Sequence, residues 1–512
     1  MYPGTHAQTR PDRSAIVMAV SGRVVTYREL DENSARLAAA LHDLGLRRGD
    51  TIALLSDNAA EAFEVYWAAI RSGLYFTAVN WHLSPDEAAY ILQDSDAQVL
   101  IVSAGVRELA EQVANTSSNL KHHYAFGGEV TGYEPYAELL ALPRRRLATQ
   151  PRGAEMLYSS GTTGRPKGVR QSLPATQVDD PGDSFLALIE HVFGLNDQTV
   201  YLSPAPIYHA APLRWCAGIH GLGGTVVLLD RFDAERALEA IDRYHVTAAQ
   251  LVPTMFIRML QLPADVRQRF DLSSLKLAIH AGAPCPPDVK DAMIQWWGPI
   301  LVEYYAATEG HGITLITSAE WQAKRGSVGR SALGPLHICD DDGNELAAGD
   351  IGTVYFEQAD AAFEYHNDPE KTASSRHPEH SNWVTVGDIG YVDVDGFLYL
   401  TDRKAFMIIS GGVNIYPQEV ENVLALHPKI FDVAVIGIPD PEMGERVKAV
   451  VQLRDGVVGS PALAAELIEY VRDRIAHYKA PQSIDFVDDL PRLPTGKLAK
   501  RVLLDRYLKT GA

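Results

Sequence analysis

The sequence predicts an α/β protein of several folding units: a large N-terminal part built on parallel sheets, a small β unit after it, and a smaller α+β part at the C-terminal end. Three observations carry this expectation. At 512 residues the chain exceeds what a single hydrophobic core serves. Short apolar runs alternate with amphipathic stretches from Thr26 to Tyr305, the pattern of a parallel sheet with helices on both faces. Between Gly326 and Tyr365 the texture changes to short runs divided by turn signals such as Asp341-Asp342-Gly343 and Ala348-Gly349-Asp350.

Taken in order, Leu30, Leu37, Leu41 and Leu44 recur at helical spacing, with Thr26 and Glu29 forming a capping box before them and Gly45 near the end. A strand over Thr51–Ser56 follows, then a helix through Phe63, Trp67 and Ile70 that stops at Gly73. Ser84 and Glu87 form a second capping box, with Pro85 at the first helical position, ahead of the strand Ala97–Val102. After an irregular, Pro- and Asp-rich stretch from Gln171 to Ser184, the alternation resumes. Strands are expected at Val226–Leu229, Thr247–Val252, Leu275–Gly282 and Ile300–Tyr305, and helices after Asp233 and Pro253. Tyr391–Leu400 alternates around Asp395-Gly396 and reads as a hairpin. Helices at 416–426 and 461–477 follow, the second with a stripe of Leu463, Leu467, Val471 and Ile475. The domain boundary is placed at Asp402-Arg403, giving units 1–402 and 403–512.

Composition narrows the function. The formal net charge of −19 argues against general nucleic-acid or anionic-membrane binding, so an anionic ligand must be held by a local site. Cys216, Cys285 and Cys339 are too scattered for a disulfide framework or a C-x-x-C metal site, and a reducing, cytoplasmic setting fits. The N-terminal residues carry no apolar h-region and no run approaches about 18 apolar residues, so neither a signal peptide nor a membrane span is expected. Two further clusters carry no chemistry. His377 and His380 lack clustered co-ligands, and Arg144–Arg146 reads as a solvated run on a linker.

The most informative stretch is Tyr158–Val169, YSSGTTGRPKGV. Gly161, Gly164 and Gly168 let backbone turn tightly and approach a ligand. Ser159, Ser160, Thr162 and Thr163 offer hydroxyls, and Lys167 adds a positive charge, the parts of a phosphate-holding loop. It is not a Walker loop, since Lys167 follows Arg165-Pro166 and no Ser or Thr comes after it. The same composition would also suit a flexible linker, against which stand the interleaved cations and the apolar lead-in Met156-Leu157-Tyr158.

Ser159–Gly168 matches every fixed position of [ST]-[SG]-G-T-T-G-x-P-K-G. The chain thereby resembles the adenylate-forming superfamily of acyl- and aryl-CoA synthetases, adenylation domains and luciferases, and further segments follow in the expected order along nearly its whole length. The resemblance implies a large N-terminal domain of two doubly wound α/β subdomains plus a small β-barrel-like unit, and a mobile α+β C-terminal domain. It also implies an acid–thiol ligase: a carboxylate attacks ATP to give acyl-AMP and pyrophosphate, and CoA then takes the acyl group. Pro206–Pro212, with His209 and Ala210, resembles the segment shaping the acyl pocket, and Ala281-Gly282-Ala283 the turn along the adenine. Tyr304–Glu309 resembles Y-G-x-T-E, with Ala306 where Gly is usual. There Tyr305 would stack on adenine beside Tyr304, Thr308 would meet the α-phosphate, and Glu309 would hold Mg²⁺. Asp388, in a W-x-x-T-G-D-like segment with Val386 replacing Thr, would take the ribose hydroxyls, and Tyr399 joins the nucleotide set. Arg403 matches a ribose- or phosphate-contacting Arg, and Gly411 and Gly412 the backbone near the CoA thiol. The hinge position, usually Asp or Lys, is Ala405, and Phe406 replaces the Asp after it. Lys497, in Pro494–Lys500, matches the catalytic lysine.

Expected catalytic residues are therefore Lys497, Glu309, Thr162 and His209, and the acyl pocket adds Ala210, Trp215, Ala281, Ala306 and Gly310. Small residues at Ala210, Ala211, Ala306, Ala307, Gly310 and Gly312 suggest a roomy pocket for a long-chain or bulky polycyclic acid, with Trp215 as a wall. The expected partners are that acid, ATP and CoA, with no nucleic acid and no stable membrane anchor. A homodimer is compatible with the sequence, which does not fix the oligomeric state. Three alternatives stay open: an amino-acid-activating domain, disfavoured because Pro206–Pro212 holds no acidic residue for a substrate amine; an enzyme that stops at acyl-AMP or passes it to another acceptor; and a non-catalytic nucleotide-binding protein.

Overall fold

The computed structural model describes residues 1–114, 116–141, 146–159, 166–359, 363–403, 406–410, 413–440, 443–492 and 498–510. Two large sheets organise the N-terminal part. The first has nine strands, in the order Arg330–Ser331, Ile313–Thr317, Leu301–Ala306, Leu277–His280, Ala248–Leu251, Val200–Ser203, Thr225–Leu228, Ser14–Met18 and Val24–Thr26. Its central pairs, from Leu301–Ala306 to Ser14–Met18, are all parallel. The second has eight strands, ordered Phe363–Tyr365, Lys167–Gln171, Ala154–Ser159, Tyr75–Val79, Thr51–Leu55, Ala97–Ser103, His122–Phe126 and Glu134–Pro135. One apolar core runs between the two sheets, through Ile16, Leu37, Phe63, Phe76 and Tyr201.

Local chemistry decides where the helices start. Both expected capping boxes form: Thr26 accepts from the Glu29 N–H and Ser84 from the Glu87 N–H, with each Glu returning a bond to the cap backbone. Asp233 and Ser460 cap the helices Ala234–Tyr244 and Pro461–Arg472 more simply, each side chain accepting from one backbone N–H, of Arg236 and Leu463, with no reciprocal bond.

Three expectations change on inspection of the packing. The short strands between Gly326 and Tyr365 do not build one unit. Arg330–Ser331 extends the nine-stranded sheet and Phe363–Tyr365 the eight-stranded one. The small β unit is an antiparallel sheet of Leu336–Cys339, Gly352–Glu357, Asp388–Val392 and Leu398–Arg403, with Trp383–Val384 on its side. Lys167 itself opens a strand, because Lys167–Gln171 runs antiparallel to Ala154–Ser159. Arg146 is not merely solvated. It bonds Asp31, which is 2% exposed and also holds the buried Arg71 at 3.0 Å, so a buried carboxylate rather than solvent fixes it. Arg144 and Arg145 lie outside the described residues.

The C-terminal part has its own core. Its two apolar clusters draw on residues from Ile408 to Tyr507 only. They pack around a long hairpin, Ile430–Asp440 with Gly444–Leu453, which periodicity alone did not single out. Among the described residues no helix is long and apolar enough to cross a membrane.

Candidate active site

In a parallel sheet the ligand crevice opens at the carboxyl ends of the strands. Here Val200–Ser203, Leu277–His280 and Leu301–Ala306 all run the same way and deliver Pro206–His209, Ala281–Ala283 and Tyr305–Glu309 to one end. Gly282 turns the chain after the second strand at φ 86°, a left-handed conformation that a side chain would oppose.

Strand alternation separates the two tyrosines of the third strand. Tyr304 turns into the core, where its hydroxyl accepts from Trp215 Nε1 at 3.3 Å. Tyr305 lies on the other side, 6.1 Å from the Phe356 ring, and its hydroxyl donates to the Asp388 carboxylate. His311 Nε2 is 3.4 Å from the same hydroxyl. The expected adenine and ribose residues are thus joined directly, across 83 positions of sequence. Of the expected pair, Tyr305 meets this cluster and Tyr304 packs against Trp215. Tyr399 stacks flat on Tyr391 at 4.9 Å and 6°, in a sheet rung apart from Asp388, which pairs with Arg403.

Glu309 is 7% exposed. Its Oε1 accepts from the Tyr365 hydroxyl at 2.8 Å, and its backbone carbonyl accepts from Gln171 Nε2 at 3.2 Å. Oε2 has no hydrogen-bond partner among the described residues. A carboxylate with one oxygen fixed and one available suits Mg²⁺, which takes one or two carboxylates and fills its shell with water and phosphate oxygens. No group of three or more potential ligands gathers among the described residues, so such an ion would depend on the nucleotide's own oxygens.

Lys167 opens the strand Lys167–Gln171, opposite Ser159. Its ammonium donates to Asp368 Oδ2 at 2.9 Å and sits 5.9 Å from the Tyr365 ring. The Lys167 hydrogen bond, with a backbone one from Lys371, holds the Asp368 carboxyl below the usual carboxylate range. Ser160, Gly161, Thr162, Thr163 and Gly164 of the loop, with Gly411, Gly412 and Lys497, lie outside the described residues, as does the side chain of Arg403.

Among the residues expected to shape the acyl pocket, His209 precedes the helix Ala210–Leu222 and its ring lies 4.3 Å from that of Tyr208. Trp215, on this helix, is 2% exposed and caged by Phe193 at 5.0 Å, Phe185 at 5.8 Å and Tyr201 at 6.2 Å. Gly312 is small for packing reasons and not for a ligand, because an added Cβ would lie 2.2 Å from the Phe356 ring. Gly310 adopts φ 66° and its carbonyl accepts from Gln358 Nε2 at 2.7 Å.

Several site residues escaped the sequence reading. Arg214 bonds Glu155 at 2.5 Å and donates to the Thr308 carbonyl at 3.1 Å, and Tyr66 donates to the same Glu155 at 3.1 Å. Burial works against the Arg214 charge, but the Glu155 carboxylate outweighs it and leaves its pKa raised. Tyr365 enters the sequence reading only as the end of the Gly326–Tyr365 region, and Asp368 not at all. Nothing in local periodicity links them to Glu309 and Lys167. Of the two histidines set aside, His377 has both ring nitrogens engaged: Nε2 bonds the Gly343 carbonyl at 2.7 Å and Nδ1 accepts from the Glu379 and His380 N–H groups.

Comparison with known proteins identifies the family. Residues 4–366 match the family described as AMP-binding enzyme, and residues 419–497 match the AMP-binding enzyme C-terminal domain. A feruloyl-CoA synthase of Amycolatopsis sp is 34% identical over 99% of this chain and 98% of its own. A long-chain-fatty-acid–CoA ligase, FadD13 of Mycobacterium tuberculosis, is 31% identical over 98% of this chain and 97% of its own. The o-succinylbenzoate CoA synthetase of Bacillus subtilis, solved with its acyl-adenylate intermediate, superposes with a TM-score of 0.80 at 27% identity, covering 98% and 97% of the two chains. The chain belongs to the AMP-binding enzyme family of adenylate-forming ligases.

Proposed function

We propose that this enzyme activates a compact carboxylic acid with ATP and transfers the acyl group to CoA, using Glu309, Lys167 and Asp388 in the first step. The observation that supports the reading is a pair of contacts, Tyr305 donating to Asp388 and Tyr365 to Glu309, with the Lys167 ammonium 5.9 Å from the same Tyr365 ring. The reacting partners are both anions, so the site's work is positioning and charge cancellation. Asp388 takes the ribose hydroxyls as a carboxylate acceptor. Tyr305 presents its ring to the adenine, and the Ala281–Ala283 turn runs along it. Lys167 and the loop hydroxyls at Ser159, Ser160, Thr162 and Thr163 hold the phosphates. Glu309 would hold Mg²⁺, whose contribution is to neutralise phosphate charge. Thr308 bonds the α-phosphate, with its backbone fixed by Arg214.

The C-terminal unit, with its separate core, is taken to begin at Arg403, where the strand Leu398–Arg403 ends. Between half-reactions it would turn about the Ala405 region, withdrawing Lys497 and bringing Gly411-Gly412 towards the thioester-forming thiol. AMP release that requires CoA, measured beside acid-dependent pyrophosphate release, separates this ligase from an enzyme that stops at acyl-AMP. Pyrophosphate release with none of a broad acid panel would overturn the reading.

The relatives' names agree on activating an acid and not on which acid. The aromatic cage on Trp215 supports a compact one, and the packing reason for Gly312 removes part of the case for a long or polycyclic one. His209 and Ala210 form the pocket's mouth in this reading, with Ala306 and Gly310 opposite. Replacing Trp215 with Ala should raise kcat/KM for acids several carbons longer, relative to a short aromatic acid, by about tenfold. A pyrophosphate assay over acids of graded length measures it. A wild-type optimum at long-chain acids would rule the compact acid out.

A further inference from the structure

We propose that Tyr365 and Asp368 are positioning residues for adenylation: Tyr365 aims the Glu309 carboxylate, and Asp368 parks the Lys167 ammonium until a nucleotide phosphate replaces it. The proposal rests on the reading of Glu309 and Lys167 given above. Tyr365 ends the strand Phe363–Tyr365, and Asp368 closes the turn after it, ahead of the helix Pro369–Ser374.

That turn is held from every side. Tyr365 pairs with Val169 across the sheet, which sets the turn against the Lys167 strand. Its N–H donates to Thr372 Oγ1 at 2.9 Å, and the next N–H, of His366, donates to the Gly168 carbonyl at 2.8 Å. Asn367 takes a left-handed φ of 56°, which Asn tolerates better than most residues, and its side-chain amide donates to the Asp94 carbonyl. The reversal sends the Tyr365 phenol inward to Glu309 and leaves Asp368 at the rim, about one-third exposed.

The two contacts differ in kind. Tyr365 is 6% exposed and its phenol fixes one carboxylate oxygen of Glu309, while the other has no hydrogen-bond partner among the described residues. Groups that orient a metal-binding carboxylate in this way influence metal affinity without touching the metal. Asp368 Oδ1 caps the following helix through the Lys371 N–H at 2.9 Å, so the carboxylate is fixed while only Oδ2 serves Lys167. With side chains 19% and 35% exposed, the ion pair is partly open to solvent, so a competing anion can exchange with it. A triphosphate, with more charge and more acceptor oxygens, displaces it. Asp368 therefore keeps the lysine extended at the start of its strand and competes with the phosphate for it.

Two variants of the full chain test this at equilibrium, without acid or turnover. Tyr365→Phe keeps the ring and removes the donor, and should weaken Mn²⁺ binding to the enzyme–ATP complex, read from the free-ion electron paramagnetic resonance signal, by about tenfold. Glu309→Gln is the reference. Weakening in the reference with none in Tyr365→Phe overturns the positioning role, whereas no weakening in either overturns the reading of Glu309 itself. Asp368→Asn preserves the helix cap and should tighten ATP binding by calorimetry about threefold, an effect that vanishes when Lys167 is replaced by Met. Unchanged or weaker ATP binding in Asp368→Asn, or the same tightening without Lys167, overturns the counter-ion role.

Discussion

Replacing Glu309 with Gln is expected to slow acid-dependent pyrophosphate release by about 10²-fold, the scale of losing one charge-stabilising group at a reaction centre. The substitution is nearly isosteric, and the amide oxygen still accepts the Tyr365 hydrogen bond, so the cluster of Val169, Phe363, Tyr365 and Val384 beside it stays packed. What disappears is the negative charge. The variant should therefore demand more Mg²⁺ for half-maximal rate while its melting temperature stays near that of the parent. A Mg²⁺ titration of the pyrophosphate rate, run beside a thermal melt, separates the two effects. Wild-type rate and Mg²⁺ response would remove Glu309 from the metal site, and a large fall in melting temperature would make the loss structural.

Local signals were legible from sequence wherever the physics is local. The capping boxes at Thr26 and Ser84, the Asp233 cap and the strand Leu301–Ala306 follow from spacing and side-chain chemistry within a few residues. Tyr305, Glu309 and Asp388, the proposed nucleotide residues, were legible for another reason, an extended ordered motif. Their mutual geometry was not. Tyr305 reaches Asp388 across 83 positions, Tyr365 reaches Glu309 across 56, and Lys167 reaches Asp368 across 201. Such contacts depend on which sheet a short strand joins, and Phe363–Tyr365 reads like its neighbours yet pairs with the Lys167 strand. Gly312 shows the reverse error: absence of a side chain signals close approach, but the sequence does not say whether a ligand or Phe356 is what approaches.

Lys497→Ala is expected to abolish adenylation and spare thioester formation. An ammonium between the carboxylate and the α-phosphate stabilises charge that develops only in the first half-reaction, and such donors contribute about 10²–10³ in rate. Lys497 itself lies outside the described residues, but its flanks are anchored. Arg492 bonds Asp432 at 2.6 Å and forms a backbone bridge with Leu498, and Lys500 meets Glu421 at 2.8 Å, all on the C-terminal unit's own core elements. Removing one side chain between those anchors should not loosen the unit, so a melt should shift little. If the unit turns between steps, Lys497 is carried away from the nucleotide before CoA attacks. The variant should then lose ATP-dependent pyrophosphate release yet convert supplied acyl-adenylate and CoA to thioester within about twofold of the parent rate, well inside the loss expected for a missing catalytic donor. A solvated tail lysine would leave both assays unchanged. Equal loss in both would mean that the segment serves each step in one fixed arrangement, and the two-orientation mechanism would fall with it.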